Sequence, residues 1–242
     1  MWLREVKKFF RSRSRIIGSL GQPILFLLAL GYGFGSIFQA AGQGNYIQFL
    51  VPGIIGMTII FSSIFNGMAV IWDRQFGFLK ETLVAPVPRI YIMLGRTLGG
   101  ATTAAMQGVI VLVLTFFFGF HPYDWALVVP AILTMFLLAT LFSSLGIMVA
   151  SLLSDMQGFQ LIMNFLVMPL FFLSGSLFPL ANAPVPLQII ARFDPLSYGI
   201  DAMRAFLINV THFGLALDLG ALAFFTAVFL ALGSYFFSKI QI

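Results

Sequence analysis

The sequence predicts an all-α membrane protein with six transmembrane helices, and three observations carry that prediction. Of 242 residues, 60% are hydrophobic and 9% charged, whereas soluble domains carry about 25% charged residues. The apolar residues gather into uncharged runs long enough to cross the bilayer core, which takes about 20 helical residues. The positive charges gather outside those runs, so the net charge of +5 fits anionic lipid headgroups rather than nucleic acid. A soluble core of this length could not hide 29 Phe from water. Residues 1–242 therefore read as a single membrane domain.

From Met1 to Arg15, residues Trp2, Leu3, Val6, Phe9 and Phe10 recur at helical spacing, opposite Arg4, Lys7, Lys8, Arg11 and Arg15. This pattern predicts an amphipathic helix lying in the membrane interface. The competing reading is the charged start of a signal peptide, but the next apolar run is span-length, whereas a signal core has about 7–15 residues. The six uncharged runs are Leu20–Phe38, Val51–Trp72, Thr97–Phe118, Ala126–Leu152, Gly158–Phe178 and Leu215–Phe237. Asp218 is their one ionisable residue, expected at headgroup level. Pro169 lies closest to mid-span and is expected to kink the fifth helix. Gly31 and Gly35, Gly100 and Ala104, and Gly146 and Ala150 each sit four residues apart, a spacing that lets helices approach closely.

Orientation follows from Lys and Arg placement. Eleven (Arg4, Lys7, Lys8, Arg11, Arg13, Arg15, Arg74, Lys80, Arg89, Arg96 and Lys239) fall on one side and two (Arg192 and Arg204) on the other. Both termini are therefore expected in the cytoplasm.

Two connections exceed a turn. The cytoplasmic one, Asp73 to Arg96, reads as a short polar helix, DRQFGFLKETL, followed by VAPVPR, in which Pro86 and Pro88 end the helix. The outer one, Pro179 to Gly214, is apolar but too interrupted to span. Leu187–Phe193 can form two turns. Asp194 then reads as an N-cap with Pro195 at the first position of a helix through Asn209, whose Leu196, Ile200, Met203 and Leu207 share a face. Such segments lie in the interface or re-enter the outer leaflet. An exit gate there would use Asp194, Pro195, Tyr198, Asp201, Arg204 and Phe206, although Tyr198 equally fits an interfacial anchor.

The chemistry that is missing narrows the function. No ionisable residue sits at mid-membrane depth, which argues against proton coupling, although sodium can be held by carbonyls and neutral side chains. No Gly-rich loop ending in Gly-Lys-Ser or Gly-Lys-Thr is present to hold nucleotide phosphates. Without cysteine there is no thiolate chemistry. His121, beside Asp124, and His212 fall in outer loops, a weak basis for catalysis or metal binding.

The basic N-terminus, the six helices, and the stretches DRQFGFLKETLVAPVPRIYIMLGR, LFSSLGIMVASLLSD, LSGSLFPL and DPLSYGIDAMRAFL together resemble type-2 ATP-binding-cassette exporter permeases over essentially the whole chain. The resemblance implies a coupling helix at Asp73–Leu83, in a coupling segment 73–90, with Arg74, Gly77 and Glu81 at its charged and glycine positions and Pro86 after it. Asp73 stands where glutamate is common. The family's outer re-entrant helices match Leu187–Phe193 and Pro195–Asn209, within segment 179–212. The resemblance further implies no catalytic residue and no cofactor in this chain, with ATP and magnesium on a soluble ABC ATPase present in two copies. It also implies a permease homodimer that exports a drug, lipid or lipid-linked glycan across a prokaryotic cytoplasmic membrane. An ion-coupled secondary transporter or channel, and a membrane enzyme, remain as alternatives on the residues alone.

The expected topology has a direct test. Single cysteines at Gln43, His121 and Asn182 should react with an impermeant thiol reagent from outside, and those at Ser14 and Glu81 should not; the opposite labelling would invert the orientation.

Overall fold

The structure is a computed structural model that describes residues 1–42, 44–78 and 86–240. It is all-helical, with no strand among the described residues. The helices are α1 (Trp2–Arg11), α2 (Arg13–Ala40), α3 (Tyr46–Asn66), α4 (Met68–Gln75), α5 (Arg89–Phe116), α6 (Val128–Leu152), α7 (Met156–Leu173), α8 (Val185–Phe193), α9 (Pro195–Ile208) and α10 (Leu215–Ser238). Six segments are long and apolar enough to cross a membrane, with α3 and α4 together forming the second. They coincide with the six expected spans. The third begins at Arg89 rather than Thr97, and the fifth stops at Leu173 rather than Phe178.

Helix starts are written in short polar side chains. Asn45 caps α3 by accepting from the Ile47 amide at 2.9 Å. Asp155, in the loop without positive charge, caps α7 by accepting from the Gly158 amide. Asp124 caps the 3-10 turn Trp125–Leu127 leading into α6, accepting from the Ala126 amide at 2.9 Å. Its neighbourhood to His121 thus has a structural cause.

Side-chain contacts fix which helix ends lie together. Arg4 of α1 reaches Asp73 of α4, Gln75 donates to the Ser154 carbonyl at 3.1 Å, and Arg89 donates to the Ser238 carbonyl at 2.6 Å. At the opposite end Tyr46 donates to the Leu177 carbonyl at 2.9 Å, and the Tyr123 amide to the Leu207 carbonyl at 2.8 Å. Both ends of the described chain therefore lie at one end of the bundle, called here the basic end, and α8 and α9 lie at the far end.

The interior is built on α3, α5 and α6. Their spans are 67%, 61% and 50% buried, against 17% for α2, 22% for α7 and 17% for α10, so the latter three flank the core. The closest approach is between α6 and the α3–α4 junction. A Cβ on Gly67 would sit 2.5 Å from the Gly146 carbonyl carbon, and one on Gly146 would sit 2.6 Å from the Ile64 carbonyl oxygen. Backbone touches backbone there. Gly100 likewise faces Asn66 and Ser143, and Ala104 and Ala150 are buried, so two of the three small-residue pairs act in packing. In the third, Gly31 meets Ile47 whereas Gly35 faces open space.

One expectation is revised. The amphipathic helix ends at Arg11, and instead of resting only in the interface it lies along α5. Phe9 is buried, Trp2 Nε1 donates to Thr102 Oγ1 at 3.0 Å, and Met1 and Glu5 fill the space beside Gly95 and Gly99. Pro169 lies inside α7, which runs from Met156 to Leu173, and its ring removes an amide donor from the helix.

The glycine contact yields a stability prediction. Gly146→Ala should cost about 1–3 kcal/mol through overpacking, and Gly35→Ala should be neutral or slightly stabilising. Reversible SDS-unfolding titrations in bicelles would compare them.

Candidate functional site

At the basic end, α4 carries Asp73 on its last turn, directly between α1 and α5. The Asp73 Oδ2 oxygen accepts from Arg96 Nη2 in a close ion pair, and from Arg4 Nη2 at 3.2 Å. The Arg96 side chain is only 4% exposed, that of Arg4 50%. The Arg96 pair is thus shielded from water, where charges attract strongly but tolerate no loss of a partner. One carboxylate gathers three segments: the amphipathic helix, the end of the second span and the start of the third.

The expected coupling helix is accordingly redrawn over its described part. Asp73 and Arg74 belong to α4, which continues from the second span, and do not open a separate helix. Gly77 ends α4: its φ is +79°, in the left-handed region that favours glycine, and its amide donates to the Arg74 carbonyl at 3.4 Å. Helical backbone resumes at Phe78, and Pro86 lies in the bend that precedes α5. Glu81 falls outside the described residues. Trp72, Phe76 and Phe78 are exposed around the turn. A groove of about 610 Å³ runs beside it, with Glu5, Lys8 and Asp73 among its walls.

At the far end the helix of the outer segment forms as its sequence specifies. Asp194 Oδ1 accepts from the Leu196 amide at 2.8 Å, Pro195 occupies the first position, and Asn209 ends α9 in the left-handed conformation at φ 54°. Its environment differs from the expectation of a helix lying against the outer leaflet. Both its apolar face and Asp194, Pro195, Tyr198, Asp201 and Arg204 are buried, with α9 packed among α3, α6 and α10. Phe206 is half-buried against the core.

The buried polar groups have separate partners. Asp201 and Arg204, three residues apart, do not form an ion pair among the described residues. Asp201 instead accepts from the His212 and Phe213 amides, each at 2.8 Å, and from Thr211 Oγ1 at 3.1 Å, pinning the turn before α10. Arg204 points the other way. It donates to the carbonyls of Gly175 at 2.9 Å, Ser176 at 3.1 Å and Phe49 at 3.4 Å, and lies 3.8 Å over the Phe49 ring. Burial lowers its pKa to about 10, so it stays charged at neutral pH. Tyr198 donates to the Arg192 carbonyl at 2.6 Å and packs on Phe213, tying α8 to the turn before α10. Asp218, on the first turn of α10, is buried with the Asp201 carboxylate as its charged neighbour, and by geometry neither of its oxygens has a hydrogen-bond partner among the described residues.

The sequence pattern selected Asp73, Asp201 and Arg204 but missed the partners that define them: Arg4, Arg96, Tyr46 and Phe49. An arginine at the head of an apolar run, as Arg96 is, was the available signal. The two ends are joined by α3. It begins at Tyr46 in the far-end cluster and ends at Asn66, whose amide donates to the Gly100 carbonyl at 3.2 Å.

Asp73→Asn would leave Arg96 buried without its counter-charge and should destabilise the fold by about 3–5 kcal/mol. Arg4→Ala, at the exposed arm, should cost about 0–1 kcal/mol. Chemical-unfolding titrations in bicelles would measure both. Asp194 gives a pH-dependent counterpart. Burial pushes its carboxyl pKa up from 3.8 to about 8, against the pull of the Leu196 amide and Ser197 hydroxyl. The folded state thus holds a proton that the unfolded chain releases above about pH 4. Its stabilising contribution is complete below that pH and is lost as pH rises through about 8. Asp194→Asn keeps the cap and removes the proton, so it should gain stability relative to the parent between pH 5 and 9 in thermal melts.

Known proteins place this architecture. Residues 1–208 match the family described as ABC-2 type transporter. The chain is 28% identical over 235 residues to the inner membrane transport permease YadH of Escherichia coli K12, covering 95% of this chain and 90% of that protein. It is 30% identical over 232 residues to the putative transport permease ycf38 of Cyanophora paradoxa, covering 91% and 78%. It is 27% identical over 215 residues to nodulation protein J of Rhizobium leguminosarum bv. trifolii, covering 88% and 81%. With a family match over most of its length and six spans in the expected order, the chain belongs to the ABC-2 type transporter family.

Proposed function

We propose that this chain is the translocating subunit of an ATP-driven exporter, working as a homodimer with two copies of a soluble ABC ATPase. The observation that carries the proposal is the basic end. The Asp73 clasp fixes the exit of the second span to α1 and α5, and it leaves Trp72, Phe76 and Phe78 exposed beside charged groups. Such a surface suits a partner that meets the segment 73–90, including Arg74 and Glu81, and pushes on it. The basic end then faces the cytoplasm, in keeping with the eleven to two distribution of Lys and Arg. ATP and magnesium belong to the partner, and this chain supplies no catalytic residue.

An amphipathic or hydrophobic cargo is supported by the far end. An apolar cavity of about 670 Å³ lies between α2 and the segment after α7, with Phe34, Phe38, Leu177 and Leu187 in its walls. The homodimer is supported by α7, whose Leu161, Phe165 and Phe172 are exposed on the helix that carries Pro169. In this reading Asp194, Pro195, Tyr198, Asp201, Arg204 and Phe206 hold the far end closed by fastening α9, rather than by lining an opening. The second reading is an ion-coupled carrier, favoured by the enclosed carboxyl of Asp218.

Reconstitution separates the two. The chain alone should show no ATPase activity and no transport driven by a proton or sodium gradient, and export should appear only with the partner ATPase. Arg74→Ala and Glu81→Ala should each weaken ATPase binding by about tenfold or more, as truncated interfacial charges do, with membrane insertion unchanged. Gradient-driven transport by the chain alone would select the carrier.

A further inference from the structure

A second cavity, of about 280 Å³, opens between α2, α3 and α5, and what it implies rests on the export reading. Its polar lining comes from Ser19 and Gln22 on α2, Thr58 and Ser62 on α3, and Gln107 on α5; none of its described lining side chains is charged. Phe61 and Phe65, one turn apart on α3, form an aromatic wall, with ring centroids 6.3 Å apart and planes 10° from parallel. Its depth follows from helix rise. Thr58 is about 18 Å along α3 from Tyr46, and Gln107 is about 16 Å along α5 from Arg96, so in a core about 30 Å thick the cavity starts near mid-depth and extends toward the basic end, where Ser19 and Phe65 lie.

Hydrogen-bond accounting asks for an occupant. Gln107 Nε2 donates to Ser19 Oγ, Ser19 donates to the Ile16 carbonyl at 2.8 Å, and Thr58 to the Ile54 carbonyl at 2.9 Å. Gln107 lines the cavity, and a side-chain amide offers an acceptor oxygen as well as the donor that Ser19 takes. Among the described residues, neither the Gln22 amide nor the Ser62 hydroxyl finds a partner. In hydrocarbon such groups are costly unless something else satisfies them.

We propose that this cavity is an entry subsite for the uncharged, hydroxyl-bearing headgroup of an amphipath drawn from the adjoining leaflet, with the chemistry of a neutral sugar. Amides and hydroxyls both donate and accept, which matches an array of hydroxyls. The faces of Phe61 and Phe65 present negative quadrupole density to the polarised C–H face of a sugar ring. An anionic headgroup would find no Lys or Arg in the wall, and burying an unpaired charge is far costlier than burying a hydroxyl. The volume is slightly below the roughly 300–1,000 Å³ of sites that enclose a whole ligand. It therefore takes a headgroup and leaves the tail in lipid, alongside the exposed Leu25 and Leu28 of α2.

The test uses the whole chain in phosphatidylcholine nanodiscs carrying equal small amounts of monoglucosyldiacylglycerol and phosphatidylglycerol, with retained lipid counted by native mass spectrometry. The glucolipid should be retained about fivefold over phosphatidylglycerol, the worth of roughly one net hydrogen bond. Gln22→Leu and Gln107→Leu should each bring the ratio close to one. Gln22 is exposed and its side chain makes no hydrogen bond to the described chain, so its replacement reads the site without disturbing the fold. Equal retention by the parent, or a preference that survives both variants, overturns the proposal. Efficient disulfide crosslinking of Gln22→Cys between two copies also overturns it, because the cavity would then be a seam filled by the second copy. Retention requires no ATP, so a negative result leaves ATP-driven export standing, and failure of export leaves the retention result intact.

Discussion

The fold depends on one carboxylate. Asp73 sits where the second span leaves the bundle, and its Oδ2 oxygen holds guanidinium groups from α1 and α5. Without that carboxylate, Arg96 would be a buried cation with no counter-charge, a state that an apolar surrounding penalises heavily. The amphipathic helix would lose its polar attachment to α4, leaving it the Trp2–Thr102 bond and contacts with Gly95 and Gly99. The position of α4 in turn sets the direction in which the chain enters the segment beyond Gly77.

The far end obeys the same constraint with different chemistry. A bilayer offers no water to satisfy buried backbone or charge, so the irregular stretch after α7 must be satisfied by protein. Arg204 and Tyr46 do this by donating to the carbonyls of residues 175–177, while Asp201 receives the amides of the turn before α10. A cation serves exposed carbonyls and an anion serves exposed amides. The helix between them, α9, can consequently be buried on nearly every side although it carries two charged residues and a capping acid. α3 connects the two clusters as a buried strut, and its backbone contact with α6 at Gly146 leaves little room for one to slide past the other.

What was legible in the sequence is what depends on local pattern. Spans, the Asp194–Pro195 helix start and two of the small-residue contacts follow from spacing and capping, which are properties of a few neighbouring residues. What was not legible depends on partners distant in sequence. Leu196, Ile200, Met203 and Leu207 mark an apolar face on α9, but nothing local to Asp201 or Arg204 shows that the other face is also enclosed, since their partners lie at Thr211–Phe213 and at Phe49, Gly175 and Ser176. Asp201 and Arg204 stand at i, i+3, a spacing at which helical charges can pair, yet each takes partners distant in sequence instead. Asp218 was read at headgroup level from its place in the span, whereas its enclosure by protein comes from packing against its neighbours. Asp73 carried the right charge in the right place, but its role as a clasp required Arg4 and Arg96, 69 and 23 residues away.

In the exporter proposed above, the two clusters and the strut between them would form a route by which force at the basic end reaches the far end. In the proposed exporter, the partner ATPase acts on the segment beyond Gly77, Asp73 transmits that motion to α1 and α5, and α3 carries it to Arg204 and the far-end turn. The most direct measurement is pulsed electron paramagnetic resonance on the reconstituted permease–ATPase complex, with spin labels at Asn182 and Val210, comparing nucleotide-free and ATP-bound states. The account predicts an ATP-dependent change in the label distance that is lost when Asp73→Asn removes the clasp in a complex that still binds ATP. A distance that does not respond to ATP in the parent, or that responds equally without the Asp73 carboxylate, would contradict it.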